Sequence, residues 1–172
     1  MRDLSDSNKK RIQGEAQRIR KLKGNKIYDG FKFDLINCLE ILQDNEICGY
    51  AILPSKEMRS EAETSFEENV IIIAEDTYIA AYKGNPRARF IIAHEIGHII
   101  LHYNKTFSAI GGEMEEEANC FAMELLVPTE VIIQDIKKCR SKPYEYANLF
   151  GVEKSIAEIQ QNDCRYRLSK KR

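Results

Sequence analysis

Arg87-Ala88-Arg89-Phe90-Ile91-Ile92-Ala93-His94-Glu95-Ile96-Gly97-His98-Ile99-Ile100-Leu101-His102 is the stretch whose reading decides the fold. Pro86 just ahead of it sits where a first helical turn tolerates proline, and the spacing predicts a helix over residues 86–103. At about 100° per residue, Phe90, Ile91 and Leu101 share the face of His94, while Ile92, Ile96 and Ile99 take the opposite one. A helix apolar all round is expected to be buried, and polar side chains on it need partners. His94 and His98, four residues apart, lie one above the other. Two imidazoles so placed can reach one zinc ion at about 2.0–2.1 Å. Glu95 stands about 100° round the helix, out of line as a ligand but within reach of a water beside the ion. There it suits a base that takes the water's proton and later hands it to a leaving amine. Two core histidines satisfied by hydrogen bonds are the competing account; a glutamate between them on an otherwise apolar helix favours the metal.

His102 extends the row, but three imidazoles along two turns of a straight helix do not converge on one ion. A metzincin would carry Gly and His where this sequence has Leu101 and Asn104. His102 is therefore expected to be an outer partner of the site or a structural residue. The third ligand must come from elsewhere, leaving the fourth position to water. With no histidine left and the cysteines poorly placed, the candidates are the acids of Glu113-Met114-Glu115-Glu116-Glu117. Acids at the head of a helix also offset its dipole, which accounts for most of such a cluster.

Upstream of the central helix, Ile12, Ala16, Ile19 and Leu22 recur at helical spacing and predict a thin amphipathic helix over 8–22, with Gly24 as its C-cap. A short helix is expected over 31–38. Residues 39–43 and 47–53, separated by Asp44-Asn45, read as a hairpin, and 55–69 as an acidic loop. The β-branched run 70–74 reads as a buried strand. Further helices are expected over 76–83, 113–126, 129–138, 144–150 and 154–163. The fold class is thus α+β: an antiparallel or mixed sheet of about three strands, then a helical block. Residues 1–172 form one domain, with 1–85 holding the first helix and the sheet and 86–172 the metal site.

The 172 residues suffice for one sizeable core, and 43% hydrophobic with 31% charged residues describes an ordinary globular chain. No apolar run approaches the length of a membrane span, and Met1-Arg2-Asp3-Leu4-Ser5 lacks a signal-peptide pattern, so a cytoplasmic location is expected. Cys38, Cys48, Cys120, Cys139 and Cys164 are odd in number and never spaced Cys-x-x-Cys, which argues for reduced, inert thiols. The net charge of −1 hides basic ends: eight Lys/Arg within 1–23 and five within 165–172. Runs this short read as solvated faces, and direct nucleic-acid binding is not expected.

The central stretch, together with Glu115-Glu116-Glu117-Ala118-Asn119-Cys120-Phe121-Ala122-Met123-Glu124-Leu125-Leu126-Val127-Pro128, resembles the core of the ImmA/IrrE-type metallopeptidases. Tyr146 to Ser155 also looks like that family's closing helix pair. The resemblance implies a gluzincin-like site, with ligands on His94, His98 and Glu115 and the base on Glu95. It further implies cytoplasmic cleavage of a transcriptional regulator, typically a helix-turn-helix repressor of a phage or mobile element. Residues 1–85 do not read as a helix-turn-helix, so such a partner would be a separate chain.

Helical geometry also singles out Glu115. With Ala118 at zero, Met114, Phe121, Ala122, Leu125 and Leu126 span an arc from roughly −60° to +80°; Glu115 falls near +60°, inside it. Glu113, Glu116 and Glu117 fall outside, and Asn119 sits just past the arc's edge as an outer partner for a ligand. For the oxyanion, Tyr144, Tyr146, Arg165 and Tyr166 are the candidates.

Two functions compete. One is a zinc-dependent endopeptidase cutting a protein regulator, with the acidic 55–69 segment free to contribute to substrate choice. The other is a non-catalytic anti-repressor or DNA-binding regulator, with a structural zinc and a helix-turn-helix-like pair at 144–150 and 154–163 joined by Gly151-Val152. Glu95 favours the enzyme, because a closed structural site needs four ligands and no base.

Overall fold

The computed structural model describes residues 4–103, 112–137 and 142–170. Helix α1 (Asp6–Arg20) leads to a short ribbon of β1 (Ile27–Tyr28) and β2 (Lys32–Phe33), then to α2 (Leu35–Asp44). Strands β3 (Gly49–Leu53), β4 (Ala62–Ser65) and β5 (Val70–Ala74) follow. The helical block comprises α3 (Glu75–Tyr82), α4 (Pro86–His102), α5 (Gly112–Leu126), α6 (Thr129–Lys137), α7 (Pro143–Phe150) and α8 (Lys154–Ser169). The class is α+β, with the small sheet preceding the helices. Asn104 and Cys139 lie outside the described residues.

The expected 39–43 strand is instead the second half of α2. Its buried positions are Leu35, Cys38, Leu39 and Leu42, a helical period rather than an alternating one. Asp34 starts the helix by accepting from the Asn37 amide at 3.1 Å. With that strand gone, the hairpin is gone too, and β3 pairs in parallel with β5, from Gly49 opposite Val70 to Leu53 opposite Ala74. Strand β4 adds antiparallel to the other side of β5, giving the order β3-β5-β4. It lies inside the segment expected to be a loop. Its signal was alternation: Ala62 is buried and Thr64 and Phe66 half-buried, while Glu61, Glu63 and Glu67 face outward. Helix α1 ends at Arg20, so Gly24, at a φ of 103°, serves the following turn instead of capping the helix.

Helix α4 runs as the sequence indicates, with Asn85 accepting from the Ala88 amide at 3.0 Å and Pro86 in the first turn. Ile92, Ile96 and Ile99 are buried, each contributing about 1.5–3 kcal/mol relative to exposure. The burial is one-sided, however. Phe90, Ile91 and Leu101 are only half-buried, because the His94 side of the helix borders the surface. Buried Arg89 donates to the carbonyls of Phe33 (3.0 Å) and Gly151 (3.1 Å), tying α4 to the ribbon and to the turn between α7 and α8.

Gly97 sets the distance between α4 and α5. A Cβ there would stand 3.1 Å from Ala118 O, 3.2 Å from Ala118 Cα and 3.2 Å from Phe121 Cβ. None of these atoms can swing aside without moving α5. Overpacking of this kind costs about 1–3 kcal/mol, against about 1 kcal/mol gained in helix propensity. Gly97→Ala is therefore expected to lower the stability of the metal-free protein by up to about 2 kcal/mol on that balance, as read by urea denaturation. A variant as stable as the parent would contradict the close approach.

Most of the described basic residues at the two ends are exposed, as solvated faces would be, but three half-buried ones make internal contacts. Arg20 lies 4.9 Å from the centre of the Phe33 ring and donates to Leu125 O. Lys9 pairs with Asp163 at 3.4 Å, and Arg167 pairs with the same carboxylate. Gly151, in the left-handed conformation, joins α7 to α8, and Phe150, Val152, Ala157 and Cys164 bury the inner side of that helical hairpin. Cys38, Cys48, Cys120 and Cys164 are buried free thiols. Burial pushes Cys38 up to about 12 and Cys48 to about 11, so both stay protonated and unreactive.

Candidate metal centre

Two turns of α4 and the first turn of α5 bring three donors together. His94 Nε2 and His98 Nε2 lie 2.9 Å apart. Glu115 Oε2 is 3.3 Å from His94 Nε2, and Glu115 Oε1 is 3.3 Å from His98 Nε2. Tetrahedral donors about 2.0–2.1 Å from zinc stand roughly 3.3 Å from one another, so these separations suit a single ion. The cluster is the one group of its kind among the described residues. Burial, and then the adjacent His94 and His98's other neighbour His102, push His98 down to about 3. The ring is neutral at pH 7 and keeps a lone pair for a metal.

Glu115 reaches the cluster from the rim. Its side chain is 53% exposed, not aimed into the core as its place in the apolar arc suggested; the arc's edge coincides with the opening of the site. Glu117 departs from expectation in the other direction. Counted outside the arc, it is 3% exposed, because α1 packs over that side of α5. Its carboxylate meets His102 Nε2 at 2.9 Å and the Arg11 guanidinium at 2.6 Å.

The outer shell is well defined. Asn119 Oδ1 lies 3.0 Å from His94 Nδ1, so the amide oxygen accepts from the ring and leaves Nε2 bare toward Glu115. His102 stands behind the cluster, its Nδ1 3.2 Å from His98 Nδ1. His98 thus points one nitrogen at His94 and Glu115 and the other at His102, which keeps His102 out of the donor set. Phe66 covers His98 edge-on, with ring centres 6.4 Å apart.

Glu95 projects toward the sheet. Thr64 of edge strand β4 donates through Oγ1 to Glu95 Oε2 at 2.7 Å. Burial raises the Glu95 carboxyl above its ordinary value, while the Thr64 hydrogen bond and His94 pull it back. A raised carboxyl is a stronger base. Thr64 was missed in the sequence because it sits in the segment taken for a loop. The alternation of Ala62, Thr64 and Phe66 carried the only hint.

The four candidate oxyanion groups do not converge on this centre. The Tyr146 hydroxyl donates to Asp135 at 2.6 Å, Tyr144 is exposed beside Glu145, and Tyr166 packs under Lys170. Arg165 is exposed. Among the described residues none of them hydrogen-bonds to His94, Glu95, His98 or Glu115.

A helix-borne histidine pair, a carboxylate from the adjoining helix and a glutamate held by an edge strand define a metallopeptidase-like domain. Residues 52–160 match the family model described as the IrrE N-terminal-like domain, a peptidase family, and the chain belongs to that family. Among solved structures it is similar to a Mycobacterium tuberculosis transcriptional regulator, at 18% identity and a TM-score of 0.56. That likeness, one of fold alone, covers 88% of this chain and 47% of the other, so the chain spans about half the regulator's length. No curated protein matches the chain.

Proposed function

We propose that residues 1–172 act as one zinc-dependent endopeptidase domain, cytoplasmic, that cuts a protein regulator of transcription such as a helix-turn-helix repressor. The observation that carries this reading is the pairing of a three-donor cluster with a separate base: His94, His98 and Glu115 converge, while Glu95 is held aside by Thr64. A structural metal would have no use for Glu95. Membership of a peptidase family supports the reaction class, and the regulator similar in fold supports the kind of partner. Among the described residues no helix is long and apolar enough to cross a membrane.

His94, His98 and Glu115 would hold the zinc ion, which when bound would supply a Lewis acid for the peptide carbonyl and lower the pKa of water. Glu95 accepts a proton from water at Oε1 or Oε2 and returns it to the departing amine. Thr64 Oγ1 fixes the rotamer of that carboxylate. Strand β4 is the sheet edge beside the centre, its outer side unpaired among the described residues, and an edge of this kind can take an extended peptide as an added strand.

Thr64→Val keeps the shape of the side chain and removes the hydrogen bond. A hydrogen bond to a charged group is worth about 1.5–3 kcal/mol, so cleavage is expected to fall roughly tenfold or more with zinc content unchanged. Equal rates for the two proteins would show that Thr64 does not position the base. The function itself is tested by incubating the zinc-loaded chain with candidate helix-turn-helix repressors and following cleavage with and without chelator. Chelator-sensitive cleavage is the expected result. Full-rate cleavage after chelation would remove the metal from the reaction. An intact repressor, with the chain binding the repressor's DNA instead, would favour the regulator with a structural zinc.

A further inference from the structure

An imidazole ligand works only in the tautomer that leaves its metal-facing nitrogen bare, and the partner of its other nitrogen sets that tautomer. For His94 the partner is an amide oxygen. For His98 it is another imidazole, His102, met nitrogen to nitrogen at 3.2 Å. Such a pair bonds only when one nitrogen carries the proton and the other does not, and neither ring decides which. The decision comes from Glu117. Its carboxylate accepts from His102 Nε2 at 2.9 Å, so in the neutral ring His102 Nδ1 is the bare nitrogen, His98 Nδ1 donates, and His98 Nε2 is left with its lone pair. Glu117 is kept an acceptor by Arg11, whose guanidinium has only donors and lies 2.6 Å from the second carboxylate oxygen. His102 is fully buried and the Glu117 side chain nearly so, while Arg11 closes the row from the surface, its side chain 43% exposed.

We propose that Arg11, Glu117 and His102 are positioning residues that impose on His98 the tautomer and orientation a metal ligand needs. Helix α1, which precedes the residues matched by the family, is by this inference part of the metal centre. The proposal rests on the reading of His94, His98 and Glu115 as ligands. The bland alternative is a part-buried ion pair that merely staples α1 to α5.

The two accounts differ sharply for Glu117→Gln. With Arg11 in place, the glutamine is expected to turn its oxygen to the guanidinium, which has only donors, and its NH2 to His102. His102 then accepts at Nε2 and carries its proton on Nδ1, facing His98. His98 must accept in turn, and its own proton moves to Nε2, where it blocks the metal. Glu117→Gln is expected to weaken zinc binding roughly 10- to 100-fold, measured by competition with a chromophoric chelator. Combining it with Arg11→Met frees the amide to turn its oxygen to His102. The double variant should recover most of the lost affinity although it lacks both members of the ion pair. A staple predicts the reverse, with the double variant no better than the single one and urea denaturation showing lower stability. Parental zinc affinity in Glu117→Gln, or no recovery in the double variant, would overturn the proposal. Should the variants fail to fold, nitrogen-15 NMR of the histidines in the metal-free parent decides the matter: protons on His102 Nε2 and His98 Nδ1 are expected, and the opposite tautomers would overturn it. His98→Ala serves as the control for the underlying reading, since unchanged zinc binding there would sink ligand and positioning roles together.

Discussion

Glu115→Ala is expected to strip most of the zinc affinity, while Glu113→Ala and Glu116→Ala leave it nearly unchanged. Acids crowd the start of α5, but only Glu115 places its oxygens 3.3 Å from both imidazole nitrogens. Losing a donor should cost more than the roughly 10- to 100-fold that losing an outer partner costs. The readout is clean because the Glu115 side chain is 53% exposed. Truncating it removes little packing and relieves repulsion from neighbouring acids, so the metal-free variant should match the parent's stability. His94→Ala and His98→Ala should lose zinc as well, although His98 is buried and its loss adds a folding cost. Zinc content by elemental analysis and affinity by chelator competition check the series. Parental affinity in Glu115→Ala would defeat the assignment of the third donor.

Glu95→Gln is expected to keep its zinc and its fold while losing cleavage by roughly 100- to 10,000-fold, the usual worth of a positioned general base. The amide preserves size and can still accept from Thr64 Oγ1, so the side chain keeps its place. What it loses is basicity. Burial already raises the Glu95 carboxyl, which strengthens it as a proton acceptor near neutral pH, and glutamine has no such capacity. Single-turnover cleavage of the identified substrate by the zinc-loaded variant is the measurement. A rate within tenfold of the parent would remove Glu95 as the base.

Much of the centre is local and was therefore legible in the sequence. His94 and His98 share a face because four residues make about one turn, and the cap at Asn85, Pro86 and the apolar spacing of α4 are all signals within one short segment. The angular count on α5 picked out Glu115 and Asn119, but it placed Glu115 facing the core, whereas its side chain is half exposed at the rim of the cluster. Short apolar runs are ambiguous in period, which is why residues 39–43 suggested a strand; tertiary packing resolved them as helix by burying Leu35, Cys38, Leu39 and Leu42 on one face. Thr64 escaped notice because an acidic four-residue edge strand carries almost no apolar signal, and only pairing with Val70–Ala74 makes it a strand.

Tertiary structure alone decided the surroundings of the donors. Glu117 faces outward on a helix considered by itself, and becomes internal once α1 lies across α5. Arg11 meets it from 106 positions away, a separation over which no spacing rule operates. Gly97 is unremarked in an isolated helix, yet it decides how near Ala118, and with it Glu115, can come to the histidines. The sequence by itself determined which residues can bind a metal, since ligand chemistry and helical periodicity are properties of a short segment. Which of the imidazole nitrogens face Glu115, and how close that carboxylate stands, were decided by helix packing, because orientation and distance depend on neighbours that the chain brings in from elsewhere.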